Sequence, residues 1–153
     1  MNAIELLKQD HQEAADMMDE LETADKGSMN TTKEMFRQLK EALTLHTQIE
    51  EQVFYPALEQ HEETKDMIGE AYTEHNEVKE MLAEMSTMAA GSDEFMDKLT
   101  ELRDSIEHHV EEEENELFPK AESVLGESRL REMGRQMQQM KEGKSATATN
   151  RRK

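Results

Sequence analysis

The segment LHTQIEEQVFYP, residues 45–56, carries ionisable side chains at positions where a packed helix would carry apolar ones. It continues an apolar series that includes Leu39 and Leu43 and that steps by three and four residues, the spacing of one helix face. Continued at that spacing, the series reaches His46 and Glu50. These two side chains are therefore predicted to point into the interior of a helical protein and not towards solvent.

Apolar residues at the same spacing recur through most of the 153 residues and predict four long helices. The predicted helices are about residues 2–24, 31–56, 66–90 and 92–119. The breaks between them, DKGSMN, HEETK and AAGSD, are short enough to make neighbouring helices antiparallel. The predicted fold class is all-α: an up-down-up-down four-helix bundle with a short fifth helix at the C-terminal end.

The predicted helix ends depend on capping residues and on proline. Asn2 with Glu5, and Thr31 with Glu34, have the spacing of capping boxes, in which each member of the pair binds a free backbone N–H group of the first turn. Pro56 is expected to kink or end the second helix, since it has no N–H group and crowds the preceding turn.

The chain divides into three predicted parts. Residues 1–120 form the bundle, residues 121–142 form a helix packed on it, and residues 143–153 form a disordered basic tail. The fifth helix is rich in methionine at helical spacing, as in Met133, Met137 and Met140. We interpret this stripe as adaptable packing and not as a cofactor site.

Composition excludes several classes of function. A net charge of -18 argues against a nucleic-acid partner, because such binding relies on Lys and Arg displacing counterions. The chain has no cysteine, which excludes disulfides, thiolate zinc sites and iron-sulfur clusters. No stretch approaches the roughly 18 apolar residues of a membrane span. We therefore expect a cytoplasmic protein without a membrane partner; its oligomeric state is left open.

Six ionisable residues lie on the predicted inward faces of the four helices. They are His11, His46, Glu50, His75, His109 and Glu113. A buried carboxylate without a partner costs several kcal/mol or becomes protonated. Two buried glutamates among four buried histidines therefore need a common explanation, and a shared metal cation provides one.

An internal repeat relates these residues. The segments HTQIEEQVFYP and HHVEEEENELFP align His46 with His109, Glu50 with Glu113 and Pro56 with Pro119, and QDHQE around the first histidine resembles TEHNE around the third. The chain is therefore a doubled helical hairpin. Two halves that face each other would bring the six residues to one level of the bundle.

Two metal ions suit this set best, each bound by two histidines and by one oxygen of each glutamate. Imidazole and carboxylate donors suit iron, manganese or zinc, and the donor types do not choose among them. His108 points about 100° away from the inward face, so His109 is preferred. Glu51, Glu112 and Glu114 also miss this face and are expected to be solvated or to lie behind the ligands, although a local helix distortion would bring Glu114 inward.

The quoted motifs resemble those of the hemerythrin-like proteins, the HHE cation-binding family. The resemblance covers about residues 2–120 and rests on the six residues and their flanking segments. It implies a four-helix bundle with two iron ions bridged by carboxylates, often with an oxo or hydroxo bridge. It further implies a small ligand: family members bind dioxygen, and others act in oxygen or iron sensing, in nitric oxide handling or in peroxide decomposition.

The sequence departs from the oxygen-carrying members of that family at two places. Those members have a second histidine four residues after the one on the third helix, where this chain has Lys79, and an aspartate five residues after the histidine of the fourth helix, where this chain has Glu114. One metal is therefore short of an imidazole. Water, Glu51 or the phenolate of Tyr55 could complete it, but on a straight helix Tyr55 faces away from the site.

Two functions remain open at this stage. The first is a di-iron protein that binds dioxygen, hydrogen peroxide or nitric oxide, or that turns them over as a catalase-like or nitric oxide-handling enzyme. The missing imidazole favours peroxide or nitric oxide chemistry over reversible oxygen carriage. The alternative is an iron-holding or oxygen-sensing binding module that catalyses no reaction.

Overall fold

The structure, a computed structural model, describes residues 1–24 and 29–151, with side chains described as far as Gly143. The helices are α1 (Ala3–Glu22), α2 (Met29–Ile49), α3 (Tyr55–Leu58), α4 (Lys65–Met85), α5 (Asp93–Glu112), α6 (Phe118–Leu125) and α7 (Glu127–Arg151). Two π-helical segments complete the chain path. The first, Glu50–Phe54, joins α2 to α3, and the second, Glu113–Leu117, joins α5 to α6.

The four long helices α1, α2, α4 and α5 form a closed bundle. Helix α1 packs on α2 and α5, and α4 packs on the same two helices from the opposite side. Each helix buries one apolar face at the predicted spacing. The predicted all-α four-helix bundle is confirmed.

The predicted capping box of Asn2 and Glu5 is present at the start of α1, where the Asn2 side chain accepts a hydrogen bond from the Glu5 N–H group at 2.9 Å. At the start of α5, the Ser92 hydroxyl accepts a hydrogen bond from the Phe95 N–H group at 3.1 Å. Helix α2, however, begins at Met29, two residues before the predicted cap at Thr31. The predicted break DKGSMN falls partly on residues 25–28, which lie outside the described residues.

The core consists of two apolar clusters with a polar layer between them. The first cluster joins the start of α1 to α3, α6 and α7, and includes Leu7, Ile49, Phe54, Leu58 and Phe118. The second joins the other ends of the four long helices, and includes Met18, Leu39, Leu82, Phe95 and Leu99. Since both clusters exclude water, the side chains between them must find their partners in one another.

The two π-helical segments each precede a proline. In the first, the Tyr55 N–H group donates to the carbonyl of Glu50, five residues earlier instead of four. Pro56 explains this widening: it has no N–H group, and in a regular helix its ring would crowd the carbonyl of Gln52. The predicted disturbance at Pro56 therefore takes the form of one wide turn, after which the helix resumes.

This wide turn changes which residues face the interior. One extra residue in a turn rotates everything after it by about 100° relative to a straight helix. Tyr55, which a straight helix would place opposite His46, is fully buried, as is Phe54. Val53, which the sequence predicts to face inward, is only half-buried.

Helix α7 packs against α1 and buries Leu130, Met133 and Met137. The methionine stripe thus serves in packing, as predicted. The helical backbone of α7 continues to Arg151 and so enters the tail that the sequence predicts to be disordered. The boundaries of the three predicted parts of the chain stay a prediction.

None of the helices in the described part of the chain has both the length and the apolar character that crossing a membrane requires.

Gly134 is the point of closest approach between α7 and α1. A Cβ atom at this position would lie 2.5 Å from the carbonyl oxygen of Met1 and 2.9 Å from the backbone nitrogen of Ala3. Because those atoms are backbone, they cannot rotate away. We expect Gly134→Ala to lower the free energy of unfolding by about 1–3 kcal/mol, the usual cost of overpacking.

Chemical denaturation measures this change, and Gly69→Ala in α4 is the matched control. A Cβ atom at Gly69 meets nothing within 4 Å, so the control gains up to about 1 kcal/mol from better helix propensity. Equal stability changes in the two variants would contradict the close packing of α7 on α1.

Candidate metal centre

The six sequence-predicted site residues meet in the polar layer between the two apolar clusters. Four come from the long helices and two from the first residues of the π-helical segments: His11, His46, His75, His109, Glu50 and Glu113. Five of them are buried, and the side chain of His46 is 13% exposed. Glu50 has no exposed surface at all, so its carboxylate must be compensated within the protein.

These residues form two groups that share both glutamates. The first group is His11, His46, Glu50 and Glu113, and the second is His75, His109, Glu50 and Glu113. Within each group the potential donor atoms lie within 4.8 Å of one another. Two cations could thus be held side by side, each by two imidazoles and by both carboxylates.

The inward nitrogen of every histidine faces a shared carboxylate. The Nε2 to oxygen distances are 3.1 Å for His11 to Glu113, 3.1 Å for His46 to Glu50, 3.0 Å for His75 to Glu50 and 3.4 Å for His109 to Glu113. Each glutamate therefore spans both halves of the bundle. This is the arrangement that the repeat predicts for two halves that face each other.

A second carboxylate lies behind each histidine. These four outer carboxylates contact the Nδ1 atoms at 2.7 Å (Glu114 to His11), 3.0 Å (Asp10 to His46), 2.7 Å (Glu51 to His75) and 2.6 Å (Glu74 to His109). An imidazole that donates Nδ1–H to a carboxylate presents the lone pair of Nε2 on its other side. Carboxylates in this position orient metal-binding histidines and raise their basicity.

Two of the outer carboxylates contact a histidine on a neighbouring helix and not the histidine next to them in sequence. Asp10 and Glu74 each precede a histidine of the centre in sequence, yet each supports the histidine of the next long helix. Sequence reasoning did not identify these two, although the acid before each histidine in QDHQE and TEHNE was a usable signal. It placed Glu51 and Glu114 away from the inward face, and in the structure both lie behind the imidazoles.

Four buried atoms of the first group form no hydrogen bond of suitable geometry with the described residues, although the two nitrogens among them each lie 3.1 Å from a carboxylate oxygen. They are His11 Nε2, His46 Nε2, Glu50 Oε2 and Glu113 Oε1. Unsatisfied buried donors and acceptors are rare because each costs about 1–3 kcal/mol. Two imidazole nitrogens and two carboxylate oxygens that converge on one space fit a metal cation.

The candidate ligands that the sequence could not separate differ in where their side chains lie in the structure. Glu113 belongs to both groups, whereas Glu114 lies behind His11. His109 points inward, and the side chain of His108 is 66% exposed and pairs with Glu112 at 2.9 Å. Lys79 is 52% exposed and lies 3.6 Å from Glu51, on the outer side of His75.

Tyr55 reaches the second group. Its hydroxyl oxygen lies 3.2 Å from His75 Nε2 and 3.4 Å from His109 Nε2, and its O–H group donates to Glu113. Burial and the nearby charges of Glu50 and Glu113 hold the pKa of this phenol well above its ordinary value. The wide turn before Pro56 thus brings a phenol to the second group, where the family resemblance predicts a further imidazole at the position of Lys79.

The repeat places Phe118 at the position that corresponds to Tyr55. Its ring stacks on His11, with the ring centroids 6.0 Å apart and the planes nearly parallel. The first group therefore has an aromatic ring without an oxygen where the second group has a phenol. The two halves of the centre are similar in donors but differ in this one hydroxyl group.

A mostly apolar cavity of about 160 Å³ lies beside the four histidines. Leu43, Val78 and Ile106 contribute to its walls, and Lys141 of α7 also lines it. Apolar walls with a few convergent polar groups are typical of small-molecule sites, and they admit uncharged molecules more readily than ions.

Two of the histidines have strongly raised pKa values in the metal-free protein. Burial alone would lower the pKa of His46, but Glu50 and Asp10 raise it to about 10. Burial also opposes protonation of His109, yet Glu113 and Glu74 raise its pKa to about 11. Protonation of these imidazoles thus compensates the buried carboxylates when no cation is bound.

These shifts predict that metal loading releases protons. The ordinary pKa of histidine is 6.5, so the raised pKa values mean that the imidazolium forms of His46 and His109 stabilise the metal-free fold fully below that pH. This stabilisation is lost as the pH rises through about 10 for His46 and about 11 for His109. At pH 8 both His46 and His109 must lose their protons before they bind a cation. We expect about two protons released per chain from this pair.

Calorimetric titration of metal-free protein with Zn²⁺ in buffers of different ionisation enthalpy counts the released protons. His46→Ala should release about one fewer, and His108→Ala, which alters an exposed side chain, should behave as the unmodified protein. A heat that does not depend on the buffer would show that the imidazoles are neutral before loading.

Comparisons with known proteins identify the family of the chain. The model of the Hemerythrin HHE cation binding domain matches residues 2–121. The crystal structure of a hemerythrin HHE cation binding domain-containing protein from Mycobacterium kansasii superposes with a TM-score of 0.84 at 25% sequence identity, and the match covers 99% of this chain and 93% of that one.

A curated relative is similar over part of its length. A DNA nickase from a Nostoc species is 27% identical over 118 residues, which are 77% of this chain and 33% of the relative. The chain thus spans about a third of the length of the relative that it matches. Because the family model covers most of the chain, including all six residues of the centre, the chain belongs to the hemerythrin HHE cation-binding family.

Proposed function

We propose that this protein holds two iron ions between its apolar clusters and uses them to bind or turn over small oxidants such as hydrogen peroxide, nitric oxide or dioxygen. The observation that carries the proposal is the pair of donor groups that share two fully enclosed glutamates. His11 and His46 would bind one ion, and His75 and His109 the other. Glu50 and Glu113 would bridge the two ions.

Iron is proposed over zinc because of its redox chemistry, and over manganese because of the similarity of the chain to hemerythrins. Imidazole and carboxylate donors suit all three metals. Iron ions supply reversible one-electron redox chemistry and Lewis acidity at the centre, which oxidant chemistry requires and zinc cannot provide. Membership of the HHE family supports a metal centre, and the similarity to hemerythrins supports iron.

The residues around the centre have separable tasks. The outer carboxylates fix the ring orientation of the four histidines, so that each Nε2 atom faces inward. The two apolar clusters exclude bulk water, which strengthens the electrostatic interactions among the charged groups. The cavity beside the histidines offers a small neutral molecule a place next to the centre.

Tyr55 is the proposed replacement for the missing imidazole. Its oxygen lies within 3.4 Å of both histidine nitrogens of the second group, the distance range of atoms that share one ligand sphere. A cation there would favour the phenolate and offset the burial that raises the pKa of this phenol. Water and Glu51 are weaker candidates, since Glu51 contacts the outer nitrogen of His75.

We do not extend the activity of the Nostoc relative to this chain. That protein is named a DNA nickase, and two thirds of its length have no counterpart in the match. The net charge of -18 opposes the approach of this chain to a phosphate backbone.

The first test is metal content together with peroxide consumption. Protein loaded with Fe²⁺ should contain about two irons per chain and should evolve dioxygen from hydrogen peroxide. Glu50→Ala should lose both irons and the activity, because Glu50 belongs to both donor groups, and His46→Ala should lose the iron of the first group and the activity. His108→Ala is the control, since this histidine is exposed.

Iron binding without peroxide consumption, and without a spectral change on adding nitric oxide or dioxygen, would favour the iron-holding alternative. Absence of iron from protein that is correctly folded, as judged by circular dichroism, would contradict the proposal as a whole.

The second test concerns Tyr55. A phenolate bound to ferric iron gives a charge-transfer absorption in the visible range, so we expect this band in the unmodified protein and its loss in Tyr55→Phe. Tyr72→Phe is the matched control, because Tyr72 packs edge-on against Tyr55, at 5.5 Å between ring centroids, without contacting a histidine of the centre. A band that survives in Tyr55→Phe would assign the open position to water or to another donor.

A further inference from the structure

The C-terminal helix reaches the metal centre from outside the family match, which ends at residue 121. The Lys141 Nζ atom of α7 lies 2.6 Å from Asp10 Oδ1. The other carboxylate oxygen of Asp10, Oδ2, lies 3.0 Å from His46 Nδ1. A chain of two contacts therefore connects α7 to a histidine of the centre.

This ion pair is largely shielded from solvent. The side chain of Asp10 is 9% exposed and that of Lys141 is 25% exposed. Asp10 lies between His46 and the ammonium group of Lys141, and this positive charge favours the carboxylate form of Asp10. Exposed ion pairs contribute little, whereas removing one partner of a shielded pair leaves an uncompensated charge.

Comparison with the other outer carboxylates shows how unusual Asp10 is. Glu74, its counterpart in the repeat, has an exposed His108 and a partly exposed Glu112 beside it, and no lysine contacts it among the described residues. Glu51 has Lys79 at 3.6 Å, but that lysine is 52% exposed. Lys141 thus makes the shortest and most enclosed lysine contact with an outer carboxylate in the described part of the chain.

The three residues of this chain of contacts also line the cavity beside the histidines. Lys141, Asp10 and His46 all contribute to its lining, together with apolar side chains of the four long helices. Helix α7 is therefore part of the cavity wall on the side of His46.

We propose that Lys141 is a positioning residue: by holding Asp10 Oδ1, it keeps Oδ2 on His46 Nδ1 and so makes the His46 half of the centre depend on the C-terminal helix. A carboxylate can rotate about its Cβ–Cγ bond, and a second contact on the opposite oxygen restrains that rotation. His46 then keeps Nε2 directed at Glu50. This inference rests on the proposed function only in that His46 is taken as a ligand.

Competition titration with Zn²⁺ and a chromophoric chelator tests the proposal, because it resolves the two metal equivalents. Lys141→Met should lower the affinity for one of the two zinc ions by about three- to tenfold. This loss is smaller than the 10- to 100-fold typical when a direct outer partner of a metal-binding histidine is removed. The other equivalent should be unchanged. Lys141→Arg, which keeps the charge, should restore the binding.

Arg135→Met is the matched control. Arg135 lies on the same helix and pairs only with Glu132, on the exposed surface, so its loss removes one positive charge from α7 without reaching Asp10. It should leave both equivalents unchanged. Asp10→Asn should weaken the same equivalent as Lys141→Met, and adding Lys141→Met to Asp10→Asn should have little further effect, because the two residues act in series.

Imidazole NMR of the metal-free protein gives an independent readout. The His46 Nδ1–H proton should exchange with water faster in Lys141→Met than in the unmodified protein or in Arg135→Met. The proposal is overturned if Lys141→Met lowers the affinity for both zinc ions equally, or if the effects of Asp10→Asn and Lys141→Met on zinc affinity are additive. Lys141 would then be a packing residue. If no variant binds Zn²⁺, the proposed function fails, and the exchange rate of this proton alone decides the role of Lys141.

Discussion

The burial of Glu50 and Glu113 is the constraint on which the rest of the structure depends. Two carboxylates lie between apolar clusters that exclude water, so each needs positive or hydrogen-bonding partners within the protein. All four histidines contact these carboxylates, and the raised pKa values of His46 and His109 show that these two compensate the negative charge as imidazolium when no cation is bound. The arrangement of all four long helices serves to bring these partners to one level.

The repeat explains why so few residues build such a complete site. Each half of the chain provides an acid before its first histidine and a second acid after its shared glutamate, and these acids support histidines on other helices. The support is thus exchanged between neighbouring helices. Differences between the halves arise where the repeat is broken, at Tyr55 against Phe118 and at Lys141, which has no counterpart in the other half.

Spacing was sufficient to predict the bundle and the convergence of the six residues, because a helix face is read directly from steps of three and four. It could not predict the direction of the residues between Glu50 and Pro56, since the extra residue of the wide turn has no signature in apolar periodicity. Tyr55 is buried and Val53 half-buried for this reason. The contact between Lys141 and Asp10 joins residues 131 positions apart, and local sequence patterns do not predict such a contact.

The contact between His11 and Glu113 has a consequence for the unfolded chain. These residues lie 3.1 Å apart in the fold, yet they are separated by most of the sequence. An ion bound to both would close a loop of about a hundred residues, and closing a long loop removes conformational entropy from the unfolded state in the manner of a disulfide. In a chain without cysteine, a bound cation would thus act as a removable cross-link between the first and last long helices of the bundle.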